Sequence, residues 1–172
     1  MLSVTGERAP RREAEVMISK QKGFSLIELL IVVAIILVIA AIAIPNFLRS
    51  KIAANQASAV GSLRSLNTAC ISYNTTYGQF PGALVDLGPI ASGGMPSSTS
   101  ADLVDAVLAA GLKSGYTFVY TAGTSNQSYS ITAAPIAPAT SGQNMYYTDQ
   151  SGVIRVDVSG AGATSGSTPI GN

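Results

Sequence analysis

The chain has 172 residues, of which 47% are hydrophobic and only 11% charged, with a formal net charge of +1. That length suits one domain of ordinary size plus a tail, and the weak charge leaves no electrostatic footprint for nucleic acid, so no nucleic-acid partner is expected. Histidine is absent and Cys70 is the only cysteine, which excludes histidine acid–base chemistry, Cys/His metal sites and an intrachain disulfide; no cofactor and no metal are expected.

In chain order, a basic lead-in comes first: Lys20 and Lys22, joined by Arg8, Arg11 and Arg12 if the chain starts at Met1. From Leu29 to Ile44 sixteen consecutive residues are apolar, and from Phe24 the run extends over 21 residues broken only by Ser25 and Glu28. As a helix it is about 31 Å long, enough to cross a bilayer. An ordinary membrane anchor, a secretory signal peptide cut after Ala41-Ile42-Ala43, and a buried core helix share this pattern. Each must account for Glu28, because a carboxylate in a membrane segment costs about 3 kcal/mol and is retained for a purpose. Positive residues stay cytoplasmic, so the lead-in places the body outside the cytoplasm; Arg49 and Lys51 beyond the run weaken that bias without reversing it.

Beyond Pro45 the pattern turns amphipathic. Leu48, Ile52, Ala59, Leu63, Leu66, Cys70, Tyr73 and Tyr77 recur at helical steps, which predicts that the long helix continues over 46–78 with Gly78 as its stop. Cys70 lies in the stripe and reads as a buried structural thiol, and Tyr73, Tyr77 and Phe80 read as core. Residues 88–100 are a Gly/Pro/Ser loop, and Ser100 is expected to cap a short helix from Ala101 to Ala110, with Asp102 in its first turn. Two hairpins follow. Tyr116–Thr121 pairs with Tyr129–Ala133, and Met145–Thr148 with Val153–Val158 across a turn at Asp149–Gly152. Three or four antiparallel strands result, whose apolar face covers the amphipathic half of the long helix. Residues 159–172 show no core-forming pattern and are expected to be a flexible tail.

Lys22-Gly23-Phe24-Ser25-Leu26-Ile27-Glu28-Leu29-Leu30, with Pro45 closing the run, resembles the type IV pilin and pseudopilin family. The resemblance is specific over 22–45 and generic to about residue 81. It implies an α+β, pilin-like fold: a long N-terminal helix whose C-terminal half packs on a small antiparallel sheet. It further implies a leader, 1–23, cut by a prepilin peptidase after Gly23, with N-methylation of the new first residue, Phe24. Family leaders are short, so Met17 is the expected start and residues 1–16 lie upstream of it. The filament-core helix is then 24–45, its amphipathic continuation 46–78, the globular region 79–158 and the tail 159–172.

In that family the glutamate pairs with a neighbouring subunit's N-terminal amine, a role that falls here on Glu28. Where many relatives have a glycine midway along the run, this chain has bulky residues around Leu37, so any melting on assembly falls to Pro45. Self-association into a filament, a prepilin peptidase, an assembly ATPase, a platform protein and the bacterial inner membrane are the implied partners. After assembly the chain would sit in a cell-surface or periplasmic filament. A type II secretion pseudopilin and a signal-peptide-bearing or membrane-anchored secreted binding domain remain as alternatives. The lack of a disulfide loop and the phrase Tyr77-Gly78-Gln79-Phe80-Pro81 fit the pseudopilin, and the apolar run the pilin. Catalysis is not expected, since Asp102 and Asp105 read as solvated helix-face residues and no nucleophile–base set can be assembled. Asp149 and Asp157 without an acidic cluster do not make a calcium site, and the sequons at Asn74 and Asn126 carry no weight of their own.

Overall fold

The computed structural model describes residues 23–90 and 93–171; leader residues 1–22, with Met17, Lys20 and Lys22, loop residues 91–92 and Asn172 lie outside them. The chain divides into two compact units at Ala40/Ala41. In the first, helix α1 (Leu26–Tyr77) begins, and its side chains up to residue 39 are exposed. Nothing within this unit covers them.

In the second unit α1 continues from Ala41 without interruption at Pro45. Proline removes one backbone donor, the one that would reach the Ala41 carbonyl, and crowds the preceding turn, while polar side chains beside it bond to other helix carbonyls. The Asn46 side-chain amide donates to the Ile42 carbonyl at 3.1 Å, and the Ser50 hydroxyl to the Asn46 carbonyl at 3.0 Å. The helix ends at Tyr77, where Gly78 takes φ +75° and donates to the Asn74 carbonyl, a left-handed stop that favours glycine.

Burial along α1 starts later than the apolar stripe suggests. Ala59, Leu63, Leu66, Cys70 and Tyr73 are buried, whereas Leu48 is 47% exposed and Ile52 only half-buried. The first ties to the rest of the unit are Asn55 donating to the Ser141 carbonyl and Ser58 to Ser114; N-terminal to them the helix has no partner element to bury its stripe.

Opposite the stripe lies a six-stranded antiparallel sheet in sequential order: β1 (Leu112–Lys113), β2 (Tyr116–Ala122), β3 (Tyr129–Pro135), β4 (Met145–Asp149), β5 (Arg155–Asp157) and β6 (Thr168–Pro169). The register sets Phe118 against Ala133 and Tyr120 against Ile131, and Ile131 in turn against Thr148. Alternation along β3 buries Tyr129, Ile131 and Ala133, and these meet Leu63, Leu66 and Cys70 in one core. Inside it the Asn67 amide donates to Thr148 Oγ1 at 2.8 Å and its carbonyl accepts the Tyr129 hydroxyl at 3.1 Å. A buried polar group so bonded costs little and fixes how helix and sheet meet.

Four expectations need correction. Six strands replace the three or four, because β1 and β6 are two-residue edges too short to show a period of two; Lys113 and Pro169 on these edges discourage further pairing. The tail is tied down: Thr168 and Pro169 pair with β5, Ile170 donates to the Ile154 carbonyl, and Ala163 is buried. Backbone hydrogen bonds do this, and they leave no apolar pattern to read.

The expected helix over 101–110 shrinks to α2 (Ala106–Ala109), capped by Asp105, whose carboxylate accepts the Leu108 amide at 3.0 Å. Asp102 adopts φ +57°, which a helix cannot hold. Ala101, Asp102 and Leu103 instead donate to the carbonyls of Asp86, Gly88 and Leu87, around the 3₁₀ turn Leu84–Leu87, and Ser100 donates to the Pro89 carbonyl rather than capping. The second hairpin keeps its turn, with Gly152 at φ +74°, but its returning strand is only Arg155–Asp157.

Candidate processing and assembly segment

Among the described residues, a Cβ built at Gly23 meets nothing within 4 Å. Phe24 follows and is 86% exposed. The helix then opens on Ser25-Leu26-Ile27-Glu28, and the Glu28 carboxylate accepts the Ser25 backbone N–H at 2.9 Å. This is one half of a capping box, satisfying a donor that the helix itself cannot use. Glu28 therefore sits at the positive end of the helix dipole, where a carboxylate is favoured. The apolar run singles out Glu28 as its one charge but not as a cap, although Ser-x-x-Glu before an apolar run is the signal of one.

Past Glu28 the helix presents Leu29, Leu30, Ile31, Val32 and Val33, then Ile35 to Ile39, Ile42 and Ile44, all exposed. α1 is long and apolar enough to cross a membrane. The exposed apolar surface does not stop at Pro45, since Phe47 is 69% exposed and Leu48 also faces outward. Burying such side chains is worth roughly 25 cal/mol per Å², so this surface requires an apolar environment from outside the chain. Gly23, Phe24, Glu28 and Pro45 do not converge on a pocket; Gly23 and Phe24 precede α1, and Glu28 and Pro45 lie along it.

The body offers chemistry of a different kind. Cys70 is buried and its thiol pushed up to about 12 by loss of solvent, which leaves it unreactive. Burial likewise raises Tyr116 to about 12 and pushes Tyr120 and Tyr129 well above the ordinary phenol. The Tyr116 and Tyr120 hydroxyls donate to the carbonyls of Asn144 and Pro81. Asp149 and Asp157 are occupied in turns, Asp149 accepting from Ser151 and Asp157 from Ser159 and Gly162. Hydrogen bonds from Ser159 hold the Asp157 carboxyl below its usual range.

An exposed apolar helix carrying one carboxylate in its first turn, continued into a body built on an antiparallel sheet, defines a pilin-like α+β protein. The prokaryotic N-terminal methylation motif matches residues 15–44. The chain is 50% identical over 54 residues to the type IV major pilin protein PilA of Myxococcus xanthus (strain DK1622), covering 31% of this chain and 24% of that protein. It is 51% identical over 59 residues to the type IV major fimbrial protein FimA of Dichelobacter nodosus, covering 32% of this chain and 37% of that protein. The matches span between a quarter and two-fifths of these relatives. The N-terminal region of the chain thus carries the methylation motif and is similar to the corresponding region of type IV pilins.

Proposed function

We propose that the chain is the structural subunit of a type IV pilus-like filament, made as a membrane-anchored precursor and polymerised through its N-terminal helix. The observation that carries this is the exposed apolar surface from Phe24 to Leu48 with Glu28 as its only charge. Lipid covers that surface before assembly and neighbouring helices cover it afterwards. A prepilin peptidase cuts after Gly23, where a residue without a side chain suits the close approach of an enzyme to the backbone, and Phe24 becomes the N-methylated first residue.

Glu28 then lies one turn from the new amine, with its carboxylate already turned back toward the helix start. In the filament it pairs with the amine of a neighbouring subunit and sets the register. Pro45, which has no N–H to give the Ala41 carbonyl, is where the helix melts if assembly requires it. The precursor spans the inner membrane once with its body outside the cytoplasm, and an assembly ATPase and a platform protein drive polymerisation. The names of the two relatives, a major pilin and a major fimbrial protein, favour a surface pilus over a secretion pseudopilin.

Mass and N-terminal sequence of the mature protein test the reading. Methylated Phe24 is expected; Ile44 at the N-terminus, or an intact leader, overturns it. Glu28→Ala should leave cleavage intact and sharply reduce filament yield, and unchanged yield removes the register role.

A further inference from the structure

The apolar surface ends abruptly at Leu48, and the next residues are Arg49, Ser50 and Lys51. Arg49 and Lys51 are both exposed, and among the described residues the one ion pair, between Lys113 and Asp105, involves neither. Two positions apart on a helix, they lie about 3 Å apart along the axis but about 200° apart around it. No single flat partner touches both. A layer that surrounds the helix does, and the body leaves both sides open at this level.

Just inside them Phe47 and Leu48 point outward in different directions. Asn46 and Ser50 direct an N–H and a hydroxyl to carbonyls four residues back, the arrangement that meets polar side chains' needs without water. Phe24 to Leu48 is 25 residues, about 37 Å of helix, slightly more than a hydrocarbon core and accommodated by tilt.

We infer that Arg49 and Lys51 form a collar that binds the phosphates of anionic phospholipids at the exterior leaflet, with Phe47 and Leu48 as the last residues in the hydrocarbon. This rests on the membrane-anchored precursor proposed above and moves the end of its span from Pro45 to Leu48. It gives the two cations on the outward side a role that charge-based orientation leaves unexplained. Entry into a filament then has to break these lipid contacts, so anionic lipid opposes extraction of the subunit.

The test uses the full chain, processed in cells, extracted and reconstituted into vesicles of phosphatidylcholine with or without phosphatidylglycerol. Tryptophan is absent from the sequence, so Phe47→Trp provides a single reporter of depth. Its fluorescence should be quenched by lipids brominated near the headgroup and protected from a water-soluble quencher; the reverse pattern overturns the boundary at Leu48.

Lipid retained after detergent exchange should favour phosphatidylglycerol, and the preference should fall about fivefold for each of Arg49→Gln and Lys51→Gln. Equal retention by the double variant overturns the collar, and if its filament yield falls the cations serve subunit contacts instead. Competition by inorganic phosphate at matched ionic strength shows a free-phosphate site and overturns the lipid assignment. Sequencing the N-terminus of the same sample keeps the two readings apart. Phe24 without a lipid preference sinks only the collar, whereas another N-terminus sinks the pilin reading itself.

Discussion

The two stretches of α1 use similar residues to opposite ends. Leu37 is largely exposed among Ile36, Val38 and Ile39, while Leu63 is fully buried against the sheet. Both lie on one helix, so propensity does not distinguish them; the difference is whether the chain supplies its own apolar partner. The first stretch is stable as a helix because backbone bonds are satisfied locally, and it leaves its surface for other molecules. The second is held by tertiary packing, as amphipathic helices in globular domains are.

Leucine-to-alanine changes at these two positions should separate the roles most widely. Leu63→Ala should lower the unfolding free energy of the body by about 2–5 kcal/mol, whereas Leu37→Ala should change it by less than about 0.5 kcal/mol. Chemical denaturation in detergent measures both, and equal effects would erase the distinction. Asn67→Ala should cost about 1–3 kcal/mol, because Tyr129 and Thr148 lose their buried partner; a neutral result would mean that the network does not fix the helix against the sheet.

Within the body, alkaline titration acts on the buried phenols. The Tyr116 phenol is raised to about 12 by burial, so the folded state holds its proton above the pH at which the unfolded chain releases it. That contribution is fully present below the ordinary phenol value near 10 and is lost as pH rises through about 12. Tyr116→Phe should flatten the fall in stability over this window, and an unaltered slope would assign the loss to Tyr120 and Tyr129. The smallest effect is expected at Asp105→Asn, at most about 1 kcal/mol, since an exposed cap and ion pair are involved. Hydrogen bonding to Lys113 depresses the Asp105 carboxyl, so the wild-type advantage should be present at neutral pH and vanish as acid titrates that group.

The site was legible to the extent that it is one-dimensional. Gly23, Phe24 and Glu28 stand in a contiguous motif, and an apolar run of this length declares itself by composition. The bond from Ser25 to the Glu28 carboxylate is also local and carries the Ser-x-x-Glu signal, whereas the outward turn of Phe47 and Leu48 beyond Pro45 depends on where the body leaves the helix uncovered. In the body, β2 to β4 followed from the alternation of residue types along each strand, and the helix stop from Gly78 after the last apolar step. The short α2 did not, since Asp102 and its neighbours exchanged helical bonds for carbonyls some 15 residues upstream.

The sequence by itself determined a long helix, an apolar surface along its first stretch and an antiparallel sheet against its second, because periodicity and run length act through nearest neighbours. Tertiary structure alone decided that burial begins at Ala59 rather than Leu48, that α2 is capped at Asp105, and that residues 168–169 close the sheet. These outcomes rest on backbone hydrogen bonds and on the reach of distant elements, and neither leaves a trace in the spacing of apolar residues.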